Sequence, residues 1–244
     1  MLNYEGRGGL NENPCTEFVS GQCEPWQIGL PNYWINTANL NLVIQDRIYG
    51  YKGLGPEIEC ILTFNSLGRR QGMFGINWSL SEETVIETDG NEIRLFRGSG
   101  QILRYYRTPR QGNATVPVEL NSISGSPDRL LDYGKFWLYI PKQFRAMFRY
   151  EKDAGTSRAF LVSVSDYDGN TVKYEYNPDR TFSRIVDAAG RVTVFGYAGG
   201  DGLCTSLRIP DGREARFSYD SQHRLIQVSD LQGVVVVYTY DPDN

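Results

Sequence analysis

The chain has 244 residues, 40% of them hydrophobic and 22% charged, which are ordinary values for a globular protein with a sizeable core. Its formal net charge of -4 argues against a nucleic-acid partner, because phosphate recognition needs a basic surface. The longest strongly apolar run, Val234–Val237, is far shorter than the roughly 18 residues of a transmembrane helix, so no membrane span is predicted. Aromatic residues at 13% and 26 glycines are typical of tyrosine-rich strands between glycine turns.

Residues 1–30 are rich in Gly, Asn, Pro and Glu, which predicts a loop-rich leader. This stretch has neither a basic n-region nor an apolar h-region, so no cleaved secretory signal is predicted. Three explanations stay open: a cytosolic protein, export by a route that reads no cleaved signal, or a piece of a longer chain. Cys15 and Cys23 either form a disulfide that closes the leader or remain free thiols.

Residues 31–157 carry strand patterns of uneven length, and we predict a region of irregular β-hairpins. Asn39–Tyr49 is predicted to pair with Glu57–Phe64 across a glycine-rich turn. The dipeptide Asp89-Gly90 between two strand-like runs predicts another hairpin. Helix-type apolar stripes free of Gly or Pro are missing, so the whole chain is predicted to be all-β.

Two finer expectations concern side chains in these strands. Alternation places Leu40, Leu42 and Ile44 on one face of the first long strand. Cys60 and Cys204 stand in apolar strand patterns, and we predict both as small buried residues rather than reactive groups.

Residues 158–244 contain four copies of one strand, turn, strand unit. The turn glycines recur at spacings of 21, 22 and 21 residues, and the closing tyrosines keep the same spacings. Two independent landmarks with one period indicate a genuine repeat. The four units are Leu161–Tyr176, Phe182–Tyr197, Cys204–Tyr219 and Leu225–Tyr240.

Each turn combines a glycine with an acidic neighbour. Glycine adopts positive φ at little steric cost, and aspartate can accept main-chain N–H groups across a turn. The aspartates would resemble catalytic residues if they stood alone, but their repetition at a turn favours a structural role. The predicted turn framework is Asp166, Gly169, Asp187, Gly190, Asp211, Gly212, Asp230 and Gly233.

The second strand of each unit ends in the pattern aromatic-x-Tyr. Residues two apart share a strand face, so each unit presents two rings side by side. Stacked units would form an aromatic ladder at the spacing of adjacent strands, about 4.8 Å. The predicted ladder is Tyr174, Tyr176, Phe195, Tyr197, Phe217, Tyr219, Tyr238 and Tyr240.

At these residues the chain resembles the Rhs/YD-repeat family, named for its Tyr-Asp pairs, here Tyr219-Asp220 and Tyr240-Asp241. The family's D-x-x-G-R turn and aromatic-x-Tyr ending are matched by Asp187–Arg191 and Phe195–Tyr197. Upstream, TANLNLVIQD, LTFNS and GMFGINWSLS are similar to the family's N-terminal series. The resemblance covers residues 30–244 and implies consecutive antiparallel hairpins in a curled, spiralling sheet, a partial shell.

The resemblance also implies a role. In bacterial Rhs proteins and insecticidal toxin complexes such a shell encloses a C-terminal toxin, and animal teneurins carry a similar shell. This implies a secreted or cell-surface protein that contacts the rest of a larger YD-repeat chain, other copies of itself, or an enclosed toxin domain. The family's self-cleavage motif is missing, since Asp241-Pro242 is followed by Asp243-Asn244. We therefore expect a non-catalytic opening segment of a shell, whose last edge is covered by other copies or by further repeats.

Two other classes of function were weighed. In a carbohydrate- or protein-binding module the exposed rings would stack on sugars, whereas packing between repeats is the favoured explanation of the rings. An enzyme would have to use Glu57 with Glu59, Glu82 with Glu83, or His223, whose DSQHR context predicts a surface turn. No catalytic residue is assigned, and no cofactor or metal is predicted, because one His and scattered Cys residues fit no standard zinc spacing.

Overall fold

The computed structural model describes residues 31–68, 70–107, 117–123 and 125–241. The predicted leader, with Cys15 and Cys23, lies outside the described residues. Within them the regular structure consists of strands joined by turns. The strands in chain order are β1 (Asn32–Asn36), β2 (Asn41–Tyr51), β3 (Ile58–Asn65), β4 (Gln71–Gly72), β5 (Gly75–Ile76), β6 (Trp78–Leu80), β7 (Val85–Asp89), β8 (Glu92–Phe96), β9 (Ile102–Tyr106), β10 (Val118–Glu119), β11 (Asn121–Ser122), β12 (Arg129–Asp132), β13 (Phe136–Ile140), β14 (Ala146–Lys152), β15 (Arg158–Asp166), β16 (Thr171–Tyr176), β17 (Phe182–Val186), β18 (Val192–Tyr197), β19 (Cys204–Arg208), β20 (Glu214–Tyr219), β21 (Leu225–Ser229) and β22 (Val235–Val237).

The first strands form a four-stranded antiparallel sheet in the order β1-β2-β3-β6, which we call the N-terminal sheet. The predicted pairing of Asn39–Tyr49 with Glu57–Phe64 is confirmed by the β2–β3 hairpin. The expected face is wrong at Leu40, which is 77% exposed and has a φ of 57° in the turn between β1 and β2. The fully buried face of β2 instead begins with Asn41 and Val43, because the tight turn places Asn41 opposite Asn36.

The other main sheet has sixteen strands and contains the repeats. From β12 to β22 each strand pairs with the next strand in sequence, so this part is an antiparallel meander. The sheet branches at β15, which pairs with β14 along one edge and with both β7 and β16 along the other. The hairpin predicted at Asp89-Gly90 is confirmed by the β7–β8 pairing, with Gly90 at a φ of 57°.

The predicted division between residues 31–157 and 158–244 falls in the turn that joins β14 and β15. These two strands pair over Ala146–Lys152, so the sheet runs without a break across that point. The division therefore marks a change in sequence regularity within one sheet. The predicted fold class, an all-β chain of consecutive antiparallel hairpins, is confirmed.

Each repeat unit contains a β-bulge that the alternating pattern does not show. Tyr176 pairs with Phe182 and Glu175 with Arg184, so Ser183 has no partner in the register and is the bulged residue. The same irregularity recurs at Val162, Thr205 and Ile226. A bulge turns one extra residue out of register, so two side chains three apart both point inward. These inward pairs, all at most 5% exposed, are Leu161 and Val164, Phe182 and Ile185, Cys204 and Leu207, and Leu225 and Val228.

The N-terminal sheet and the β4–β5 hairpin, which lies between its strands β3 and β6, pack on the inward side of the repeats. Phe74 meets Phe217 edge to face with ring centroids 5.0 Å apart, and Trp78 lies 4.8 Å from Tyr238. The Cys204 N–H donates to the Met73 carbonyl at 2.7 Å, which joins the two parts through the main chain as well. One continuous hydrophobic cluster therefore runs from β2 to β21. Cys60 and Cys204 are free, buried members of it, as predicted.

Candidate functional site: the repeat turns and inner rings

Three of the four repeat turns use the same aspartate hydrogen bonds. In the first turn, Asp166 Oδ1 accepts the main-chain N–H groups of Asp168 and Asn170, each at 2.9 Å. Asp187 and Asp230 accept the corresponding N–H groups two and four residues further on, at 2.8–2.9 Å. One carboxylate oxygen thus satisfies two main-chain donors that the turn would otherwise leave unpaired.

The third turn departs from this pattern. Ile209 stands where the other turns have the bonding aspartate, and it is buried. Asp211, two residues later, accepts the N–H and the guanidinium Nε of Arg213. The side chain of Asp211 is about half exposed. It accepts one main-chain N–H group, where the aspartates of the other turns accept two.

The four turn glycines have φ values of 81° to 90°. A Cβ added at Gly169, Gly190, Gly212 or Gly233 would meet nothing within 4 Å. The need for glycine is therefore conformational, since L-residues rarely adopt this left-handed region.

Asp187 links a repeat turn to the N-terminal sheet. Its Oδ2 accepts the Tyr51 hydroxyl at 2.5 Å and the Arg191 Nε at 2.6 Å. The Arg191 guanidinium also lies 4.2 Å above the Tyr51 ring. Burial alone would raise the pKa of Asp187, but the hydrogen bonds from Tyr51 and Arg191 outweigh it and lower the pKa. The carboxylate is held ionised as a structural acceptor.

The turn between the third and fourth repeats reuses the same chemistry. Asp220, the acid of one Tyr-Asp pair, accepts the N–H groups of Gln222 and Arg224 at 2.9 Å and the Arg224 Nε at 2.8 Å. Sequence reasoning missed this residue. Its signal was the spacing from Asp220 to Arg224, which repeats that from Asp187 to Arg191.

The closing tyrosines have one common hydrogen bond. Each hydroxyl donates to the carbonyl of the first residue of its own unit, 15 residues earlier, at 2.6–2.8 Å. The carbonyl belongs to the residue beside the bulge, where the regular pairing is interrupted. The four pairs are Tyr176 with Leu161, Tyr197 with Phe182, Tyr219 with Cys204 and Tyr240 with Leu225.

The inner ring of each pair, at Tyr174, Phe195, Phe217 and Tyr238, lies two residues before the closing tyrosine. The expected ladder at the spacing of adjacent strands is wrong, because a first strand always lies between two ring-bearing second strands. Phe182 joins the first two units, stacking 4.8 Å from Tyr176 and lying 5.5 Å from Phe195. In the later units Cys204 and Leu225 take its place, so rings alternate with smaller side chains.

The acidic pairs considered as catalytic groups make contacts within the N-terminal region. Glu57 and Glu59 both lie near the guanidinium of Arg47, Glu59 at 2.9 Å. Glu83 accepts the main-chain N–H groups of Met73 and Leu80. Burial raises the pKa of Glu82 to about 7, and this carboxylate accepts the Ser81 hydroxyl.

His223 does lie in a turn, as predicted, and this turn packs against the β4–β5 hairpin. Its φ is 61°, and its carbonyl accepts the Ile76 N–H at 3.1 Å. A Cβ on Gly75 would lie 2.3 Å from the same carbonyl, so glycine allows the two segments to approach. The imidazole Nδ1 lies 3.1 Å from the Gln71 amide nitrogen, which fixes the ring against the β4–β5 hairpin.

Among the described residues, no group of three or more His, Cys, Asp or Glu side chains is placed to hold a metal ion. The same part of the chain contains no helix long and apolar enough to cross a membrane.

Comparison with known proteins fits this geometry. The sequence model of the RHS Repeat family matches residues 200–235, which include the third repeat and most of the fourth. No curated protein matches the chain. Among solved structures, the crystal structure of TcdB2-TccC3 is similar in fold, with a TM-score of 0.51 and 13% identity. The match covers 97% of this chain but 17% of that one. The resemblance to the Rhs/YD-repeat family is thus confirmed, with an Rhs repeat at residues 200–235 and an all-β fold similar to that of TcdB2-TccC3.

Proposed function

We propose that the chain is a non-catalytic structural segment of an Rhs/YD-repeat shell, and that the complete shell encloses or displays a C-terminal toxin or effector domain. The observation that carries this proposal is the use of the repeated polar residues. The turn aspartates bind main-chain N–H groups and the closing tyrosines bind main-chain carbonyls. Side chains that are hydrogen-bonded in this way stabilise the sheet, and their carboxylates and hydroxyls are already engaged.

The family resemblance supports a secreted or surface location and contact with the rest of a larger YD-repeat chain. The alternative, a carbohydrate-binding module, would need accessible rings. The inner rings of the first three repeats do not meet this need, since Tyr174, Phe195 and Phe217 are at most 8% exposed. A glycan array with the purified chain separates the two functions, since a structural segment is expected to give no saturable binding.

Enclosure is tested on the natural full-length protein that contains this chain. Limited proteolysis should leave residues 158–241 intact and should cut the sequence C-terminal to the repeats more slowly than the same segment expressed alone. Equal cleavage rates for the two forms would contradict enclosure. A full-length product without sequence beyond the repeats would contradict the shell role itself.

A further inference from the structure

A cavity of about 310 Å³ lies beside the N-terminal sheet, between the residues that follow β3 and the β8–β9 hairpin. Its size is at the lower end of small-molecule pockets, which range from roughly 300 to 1,000 Å³. The apolar side chains that line it are Leu67, Trp78, Phe96 and Ile102. The turn aspartates and the closing tyrosines of the repeats do not line it, so the cavity lies outside the framework on which the proposed function depends.

Two glycines allow polar side chains to reach the wall of this cavity. A Cβ at Gly72 would lie 2.6 Å from Oε1 of Glu83, and a Cβ at Gly100 would lie 2.4 Å from Nδ2 of Asn65. Gly100 also has a φ of 86°, which disfavours any other residue type. Because both side chains are absent, a cavity with mainly apolar walls also contains carboxylate and amide groups.

Asn77 brings an unused hydrogen-bond acceptor to the cavity. Its main chain is fixed on both sides, since its N–H donates to the Arg70 carbonyl and its carbonyl accepts the Asn65 N–H, both at 3.0 Å. The side-chain Oδ1 is buried and has no hydrogen-bond partner among the described residues. A buried acceptor is stabilised when a donor reaches it. In the free protein a water molecule can supply that donor, and a hydroxyl group of a ligand can replace the water.

Two guanidinium groups line the cavity without a carboxylate partner. Arg70 is exposed, and its guanidinium carbon lies 4.8 Å from the centre of the Phe96 ring. Arg97 is partly buried, and its Nη1 donates to Oε1 of Gln101 at 3.0 Å. Within the described part of the chain neither arginine forms an ion pair. A guanidinium can donate two parallel N–H groups to one carboxylate, so this pair of arginines favours an anionic ligand.

Glu83 is the one acidic side chain among the described residues that line the cavity. Its carboxylate oxygens accept the N–H groups of Met73 and Leu80, at 3.4 and 3.3 Å. Burial raises the pKa of this carboxyl, while the Leu80 N–H and the charge of Arg70 lower it. Two arginines against one glutamate leave the cavity with an excess of positive charge.

We propose that this cavity binds a small aromatic carboxylate that carries one further hydrogen-bond donor. The carboxylate would lie between the guanidinium groups of Arg70 and Arg97. The ring would pack against Trp78 and Phe96, and the donor would reach Oδ1 of Asn77. A cavity of about 150 Å³ is enough for benzene, so this larger cavity admits one ring with a short acidic side chain. The inference is independent of the proposed structural function, because it uses no repeat residue.

The test uses phloretate, a phenol with a propanoate side chain, and measures its binding to the whole chain by isothermal titration calorimetry. The neutral phloretamide should bind about tenfold more weakly or worse, because a hydrogen bond to a charged group is lost. Hydrocinnamate, which lacks the hydroxyl, should bind about fivefold more weakly. Equal affinities for the acid and the amide would overturn the proposal, as would the absence of saturable binding. Tighter binding of N-acetylglycyltyrosine than of phloretate would also overturn it, because the site would then accept a peptide terminus.

Two variants locate the site. Arg70→Gln should weaken phloretate binding about tenfold and leave phloretamide binding unchanged. The matched control is Arg145→Gln, since Arg145 is also exposed and lies over a ring, 5.8 Å from that of Tyr167, but does not line the cavity. Asn77→Gly suits the φ of 63° and should abolish the preference for phloretate over hydrocinnamate. Unchanged affinities in both variants would place the ligand elsewhere and contradict the proposal, and equal urea midpoints would show that the variants are folded.

Discussion

At the scale of single residues, the repeated polar side chains form hydrogen bonds with main-chain groups. A bulge and two turns in every unit interrupt the regular ladder, and each interruption leaves N–H and C=O groups that need partners. Asp187 supplies acceptors for the turn, and Tyr197 supplies a donor for the bulge. The turn aspartates and the closing tyrosines are thus the residues that make a repeatedly interrupted sheet possible.

The hydroxyl of each closing tyrosine is expected to contribute measurably to the free energy of unfolding. Tyr219→Phe removes the 2.6 Å hydrogen bond to the Cys204 carbonyl and leaves that buried acceptor unpaired. We expect a loss of about 1 kcal/mol in the free energy of unfolding, measured by urea denaturation. Tyr167→Phe is the control, since Tyr167 is 54% exposed. Equal stability of the two variants would show that the hydroxyl contributes nothing.

Asp46 provides a second prediction, because this residue is 2% exposed and its carboxyl lies beside Tyr238 and near Asp230. Burial raises its pKa to about 6, the charge of Asp230 adds to this, and the Tyr238 hydrogen bond opposes it. The folded state therefore binds the proton more tightly than the unfolded state. The stabilisation is complete below about pH 4 and is lost as the pH rises through 6, on the order of 3 kcal/mol in all.

Asp46→Asn, which cannot ionise, should therefore unfold at a higher urea concentration than the natural chain at pH 8. The difference between the two proteins should shrink steadily towards pH 4.5. Urea midpoints across this range measure it. A difference that does not change with pH would exclude the titration of Asp46 as its cause.

At the scale of one element, the hairpin shows what sequence can and cannot predict. The turn at Gly190 is readable because its φ requirement restricts the residue type. The inward position of Phe182 is not readable from alternation, since the bulge at Ser183 breaks the period of two. The prediction for Leu40 is wrong for a related reason, because the turn after β1 extends through Leu40 and β2 begins only at Asn41.

The turn prediction is tested by Gly190→Ala. Alanine at a φ of 81° should cost about 1 to 2 kcal/mol, since no neighbouring atom would clash and only the backbone conformation is disfavoured. Gly200→Ala is a matched control in an exposed turn without that requirement. Thermal unfolding of the two variants should differ by several degrees, and similar midpoints would mean that the turn relaxes to another conformation.

At the scale of the whole molecule, the N-terminal sheet and the repeats share one core. Their sequences are predicted as separate regions because one is irregular and the other periodic, and single-sequence patterns carry no information on which distant faces meet. The contacts of Phe74 with Phe217 and of Trp78 with Tyr238 join residues more than 140 positions apart. The repeats thus gain a covered inner face that their own short units cannot supply.

Because the core is shared, we expect a destabilising substitution in the N-terminal region to destabilise the repeats as well. Phe74 is 0% exposed, and Phe74→Ala should cost about 3 to 5 kcal/mol by opening a cavity against Phe217. Hydrogen exchange under native conditions should then accelerate in β18 of the repeats as much as in β3 of the N-terminal sheet, with one unfolding transition. Phe144→Ala, at a side chain 54% exposed, should leave both unchanged. Faster exchange confined to the N-terminal sheet would contradict this prediction, because it would mean that the repeats fold independently of that sheet.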